Sequence, residues 1–332
     1  MKFETISDIK KGIVCGGLSG LTWGADTVFL GLLLSMSPFI DTEFFLLIGF
    51  IIGAFFHDMS SSIFMIAYMK KKNILKKAIK TIFTKPGIII VLASIMGGPV
   101  GMTGYLMGIK YSGPAYTATF SAIYPAIGAF FAHFLLKEQL SKRAWVGILV
   151  GVMGVVGLGY TPINIVDYPD FKIGIFYILL CIIGWSLETV IIAYGMKYGD
   201  IEPEVAMFIR QTISFLVYGI LIVPLISGQQ LVIEIFKSKM IFLIAVVAIS
   251  GTISYLLWYR SIEMIGAARA TVLNITYMVW AIILQVIVFG TKISLNFILF
   301  STLIILGVIL VIGNPKEMLK IKNNNLKEAG EC

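Results

Sequence analysis

Apolar stretches long enough to cross a bilayer as helices follow one another from residue 12 to residue 313, separated by short connections rich in Lys, Pro and Gly. A hydrocarbon core takes roughly 20 residues of α-helix. Inside it every backbone N–H and C=O needs an internal partner, which leaves helices and closed barrels as spanning forms. Barrel strands would be alternating segments of about 10 residues, and none is seen. Marking apolar runs bounded by charge, Pro or Gly gives ten segments: 12–36, 43–69, 86–109, 113–136 and 143–161, then 173–196, 203–227, 238–259, 266–289 and 293–313. The expected fold class is an all-α integral membrane protein with ten transmembrane helices. With 58% hydrophobic and 13% charged residues and a mean hydropathy of +0.94, the chain departs from soluble domains, where about 25% of residues are charged.

The net charge of +8 is a topology signal and not a nucleic-acid footprint, because the basic residues sit in short loops. Twenty of the 26 Lys and Arg residues fall on the side of the N-terminus, five fall on the other, and Arg210 lies within a span. Both termini are therefore expected in the cytoplasm. Residues 74–83 place Ile74, Leu75, Ala78, Ile79, Ile82 and Phe83 at helical spacing among Lys72, Lys76, Lys77 and Lys80. One reading is a helix lying on the anionic inner leaflet; the other is a solvated lysine-rich loop. Cys15, Cys181 and Cys332 have no metal-ligand spacing, so free thiols, no metal and no cofactor are expected. Residues 1–11 are short and mixed in charge, unlike a cleaved signal peptide.

The chain repeats itself. Gly113, Ala115 and Tyr124 match Gly266, Ala268 and Tyr277 at a constant offset of 153, which also pairs Tyr105 with Trp258, Ser141 with Ser294 and His57 with Arg210. Nearer the start of each half the offset is 162, and Trp23-Gly-Ala-Asp26 faces Trp185-Ser-Leu-Glu188. The expected organisation is a first repeat over 1–161, an external linker over 162–172, a second repeat over 173–313 and a basic cytoplasmic tail over 314–332. Five spans per half is an odd number, so the halves are expected to be inverted in topology. Such halves rock about a site near the midplane, which points to a carrier working by alternating access.

An ionisable group within a span costs roughly 2.5–3.5 kcal/mol on insertion scales and faces a cavity or a partner. Asp26, His57, Asp58, Glu188 and Arg210 are such groups. Trp23 with Asp26, and Trp185 with Glu188, are three residues apart and share a helix face. Tyr255, Trp258, Tyr259, Tyr277 and Trp280 add rings in the second half. Aromatic faces around a carboxylate suit a cation without hydrogen-bond donors, such as a quaternary ammonium, at about 2 kcal/mol per desolvated ring. Aromatic residues also serve as interface anchors, the better reading for Trp145 beside Lys142 and Arg143. The His57-Asp58 and Arg210-Gln211 pairs form either a polar gate or proton relay, or a buried ion pair that locks the halves. Asp26 and Glu188 are alternative coupling groups. No nucleophile-and-base arrangement or phosphate loop argues for an enzyme.

The stretch from Lys110 to Lys142, with the inverted repeat, resembles the EamA-type carriers of the drug/metabolite transporter superfamily. GGPVGM at 97–102, SAIYPAI at 121–127, RQ at 210–211, SYLLWY at 254–259 and YMVW at 277–280 are further similar to the bacterial choline permeases of phosphocholine decoration pathways. That resemblance implies a multi-pass protein of the bacterial cytoplasmic (inner) membrane importing choline. It places the pocket on Trp23, Trp185, Glu188, Tyr255, Tyr259, Tyr277 and Trp280, with Asp26 as an additional acid and Trp258 as an additional ring. Expected partners are a small choline-like cation, a coupling proton or sodium ion and membrane lipids, with no nucleic acid; the state is a monomer or homodimer. The superfamily also contains exporters of amino acids and other metabolites, the competing expectation.

Overall fold

A computed structural model describes residues 5–113, 117, 120, 121, 123–159, 169–290 and 294–315. Those residues are helical almost throughout. They form α1 (Ile6–Leu34), α2 (Glu43–Lys71), the short α3 (Leu75–Ile82), α4 (Lys85–Ser112), α5 (Tyr124–Leu135) and α6 (Lys142–Gly159). There follow α7 (Phe171–Gly199), α8 (Pro203–Leu225), the short α9 (Gln229–Lys237), α10 (Met240–Ile265), α11 (Ala267–Phe289) and α12 (Leu295–Ile312). Several helices start where side chains take up orphan N–H groups. Thr5 and Asp8 form a reciprocal capping box on α1, Thr42 Oγ1 accepts from Phe45 N at 3.0 Å on α2, and Ser294 Oγ accepts from Phe297 N at 3.1 Å on α12.

Eight of the described helices are long and apolar enough to cross a membrane, against the ten expected: α1, α2, α4, α7, α8, α10, α11 and α12. Where the fourth and fifth spans were expected stand α5, with 12 described residues, and α6, with 18. Most of the expected linker and tail, and Cys332, lie outside the described residues. Cys15 and Cys181 are free thiols. The lysine-rich segment at 74–83 does contain a helix, α3: Ala78 is fully buried and Leu75 and Ile82 pack on the core, while Phe83 is 78% exposed. The helix α9, between Ser227 and Ser238, was not foreseen from sequence.

The packing pairs helices from different halves. α1 runs along α10 and α11, while α7 runs along α4 and α5; α2 meets α8, and α6 meets α12. Exchanging each helix for its repeat equivalent turns this set of pairs into itself, so the order of neighbours follows the duplication read in the sequence. Three irregularities interrupt the regular α-helices, one of them a π-helical stretch of α8 at Tyr218–Ile222. Met96–Met102 (MGGPVGM) forms a π-helical stretch of α4 around Pro99, and α11 is interrupted by a turn at Ile275 and Thr276. Pro and local π geometry are the usual causes of such kinks.

Candidate functional site

Glycines in the π-helical stretch of α4 let α7 come close. A Cβ on Gly97 would collide with the Glu188 carboxylate, and one on Gly101 would meet the Trp185 indole at 2.6 Å. The repeat pair Trp23 and Trp185 thereby flank one chamber, lined also by Met102, Tyr124, Glu188, Ser254, Tyr255, Trp258, Asn274 and Tyr277. Small-molecule sites are mostly apolar with a few placed polar groups. The rings brace each other edge to face: Trp23 stands 5.0 Å from Tyr255 at 78°, and Trp185 stands 5.4 Å from Tyr124 at 75°. Such pairs contribute about 0.5–1.5 kcal/mol beyond burial and hold the faces in place.

Next to the chamber, a larger cavity of about 230 Å³ extends past Asp26, His57, Asp58 and Arg210 to Leu30, Leu34 and Phe50, toward the α1–α2 connection. Five helices contribute to one polar chain between the two spaces. His57 Nε2 lies 3.0 Å from Asp26 Oδ1, and its Nδ1 lies 3.4 Å from Asp58 Oδ1. Arg210 Nη1 donates to Asp58 Oδ2 at 3.1 Å and to Gln211 Oε1 at 2.6 Å; Nε donates to Glu188 Oε1 at 2.9 Å. Its Nη2 donates to the Tyr255 hydroxyl at 2.8 Å, and its Cζ is 4.4 Å from that ring's centroid. All five ionisable side chains are buried. His57 and Arg210 are repeat equivalents, and they meet in the same chain where α2 packs on α8.

Seven of the residues singled out from sequence as pocket-forming line one or both of these spaces: Trp23, Asp26, Trp185, Glu188, Tyr255, Trp258 and Tyr277. Two do not. Tyr259 is fully buried behind Tyr255 and Trp258, at 6.0 and 5.4 Å between ring centroids. Trp280 is 37% exposed and lines neither space; its Cβ instead packs on α1, where a Cβ on Gly24 would lie 2.8 Å away. Arg269, counted in the sequence as a loop cation, is buried in the first turn of α11 and donates to the Gln139 carbonyl at 3.3 Å. Met102, Tyr124, Ser254 and Asn274 were missed as chamber residues. Tyr124 had a signal, since it is the repeat equivalent of Tyr277.

On the far side of the chamber from α2's first turns, Glu138 of the first half accepts from Ala267 N at 2.7 Å and from Ala268 N at 3.2 Å at the start of α11, and within the second half Arg260 pairs with Glu204 at 2.5 Å. Among the described residues, no group of three or more His, Cys, Asp and Glu is arranged to hold a metal ion.

The profile of the EamA-like transporter family matches residues 10–160 and 172–313. The chain is 32% identical over 222 residues to Protein LicB of Haemophilus influenzae, covering 67% of this chain and 74% of that protein. It is 23% identical to an uncharacterized transporter of Clostridium kluyveri across 96% of this chain and 97% of the other. A solved crystal structure superposes with a TM-score of 0.67 at 16% identity, covering 90% of this chain and 96% of that one, a likeness of fold alone. The two matched segments account for nearly all described helices, and their family is one of transporters and not of enzymes. This multi-pass membrane protein, with one matched segment in each half of its chain, belongs to the EamA-like transporter family.

Proposed function

We propose that the chain imports choline or a closely related quaternary amine by alternating access, coupled to protons. The observation that carries the reading is the chamber itself, in which rings from α1, α5, α7, α10 and α11 surround Glu188. Ring faces attract a cation that has shed its water, and a quaternary ammonium needs no hydrogen-bond acceptors in return. Charge points the same way. Three buried acids, Asp26, Asp58 and Glu188, face one arginine and one imidazole, so acids outnumber the permanent cation in the cluster by three to one. A buried, uncompensated negative charge is costly, and a monovalent cation relieves it. The resemblance of the motifs at 97–102, 121–127, 254–259 and 277–280 to those of choline permeases supports the same cargo.

The pairing of α1 with α10 and of α7 with α4 supports two inverted five-helix repeats, over 1–161 and 173–313, with ten spans in which α5 and α6 belong to the fourth and fifth. The Lys and Arg asymmetry supports cytoplasmic termini. On that orientation the larger cavity, which runs toward the α1–α2 connection, opens to the outside, as an importer awaiting cargo requires. Asp26, His57 and Asp58 form the coupling chain, since an imidazole between two carboxylates can pass a proton.

Uptake of radiolabelled choline into proteoliposomes, with and without an imposed pH gradient, tests the proposal. Saturable uptake that rises with an inward proton gradient is the expected result. No saturable uptake, or displacement by amino acids better than by choline, would favour a metabolite exporter instead.

A further inference from the structure

Asn274 lines the chamber at the interruption of α11, and its neighbours settle which way its amide faces. Ser19 on α1 donates its hydroxyl proton to the Gly16 carbonyl at 2.7 Å. The Ser19 oxygen has only lone pairs left, so in its 3.0 Å contact with Asn274 the amide Nδ2 must be the donor. Oδ1 is the other arm of the amide, and among the described residues it has no protein partner. Ser254 on α10 also lines the chamber and gives its own proton to the Ser19 carbonyl at 2.8 Å. This wall therefore offers two oxygen acceptors against at most one remaining amide proton, in a chamber whose other walls are mainly rings and Glu188.

A cargo group facing that wall completes it by donating a hydrogen bond, because a buried acceptor left unpaired costs about 1–3 kcal/mol. A carboxylate there would set lone pairs against lone pairs. We infer that Asn274 receives a hydroxyl proton from the cargo, so that Asn274 and Ser254 select cationic amino alcohols over zwitterions carrying a carboxylate. The inference rests on the chamber being a cation site and adds the group at the cargo's other end.

Calorimetric titration of the purified protein with choline, propyltrimethylammonium and betaine tests it, since the second ligand replaces the choline hydroxyl with a methyl and the third with a carboxylate. Choline is expected to bind about tenfold more tightly than propyltrimethylammonium, the factor that one net hydrogen bond of about 1.4 kcal/mol supplies, with betaine weaker than either. In Asn274→Ala the preference for choline over the propyl analogue should shrink from about tenfold toward unity, and retained binding of the analogue reports that the variant is folded. Ser254→Ala, which leaves the Asn274–Ser19 bond in place, should narrow the choline preference in the same direction. Equal binding of choline and propyltrimethylammonium by the unaltered protein would overturn the hydroxyl reading and leave the cation site standing. So would betaine binding as well as choline, or an equal loss of both quaternary ligands in Asn274→Ala beside an unchanged preference in Ser254→Ala. Binding of neither quaternary ligand would overturn the cation site, and this inference with it.

Discussion

Arg210 donates from Nε to Glu188 Oε1 at 2.9 Å, joining α8 to α7 where the aromatic chamber meets the polar chain. The acid that faces the rings is thus held by a guanidinium that also leans on Tyr255. Its second oxygen lies against Gly97, so both arms of the carboxylate are placed by neighbours.

Glu188→Gln keeps an oxygen for Arg210 and removes the charge. Choline affinity should fall roughly thirty-fold or more, as for truncating one member of a buried charged contact at about 2–5 kcal/mol. The melting temperature should change little. Calorimetry and thermal unfolding of the same preparation check the two halves of this statement.

Trp185→Ala removes a ring from the chamber wall and should weaken quaternary-ammonium binding roughly thirty-fold, from about 2 kcal/mol of cation–π attraction. Trp280→Ala should leave affinity unchanged, since that indole lies outside the chamber. Parallel titrations of the two variants separate a binding ring from a peripheral one.

Gly97→Ala places a methyl where the Glu188 carboxylate now sits. Choline uptake should fall as far as in Glu188→Gln, although no charge has been altered. Gly17→Ala, where a Cβ meets nothing within 4 Å, should transport normally.

Arg210→Ala leaves Asp58 and Glu188 buried without their cation, a change of about 3–5 kcal/mol for a broken buried pair. Arg260→Ala breaks the pair with Glu204, whose arginine is 37% exposed, and exposed pairs contribute about 0–1 kcal/mol. The first variant should lower the melting temperature markedly and the second slightly; similar shifts would contradict the burial argument.

His57→Gln preserves a polar contact to Asp26 but removes the titrating ring from between the two aspartates. Choline binding should persist while uptake loses its response to an imposed pH gradient. Proteoliposome uptake at matched and unmatched internal pH measures the difference.

Much of the candidate site could be read from residue type alone. Asp26, His57, Asp58, Glu188 and Arg210 stand out because charge inside an apolar span needs a partner, and all five do join one chain. Trp23 and Trp185 were legible through the repeat, which places each beside an acid. Trp280 misled, since helical spacing puts it on one face with Tyr277 but cannot say which neighbour crowds that face. Asn274 was invisible because a single amide in an apolar segment has no periodicity, and its meaning lies in bonds to Ser19, 255 residues away.

Membrane class, helical build and the duplication followed from the sequence by itself, because hydropathy and repeat spacing are properties of the chain read in order. The tertiary structure decided which rings face the chamber, which acid the arginine holds and which way one amide points. Those outcomes depend on how closely helices approach at Gly24, Gly97 and Gly101 and on where α4 and α11 bend. A bend turns every later side chain about the helix axis by an amount that no local pattern records.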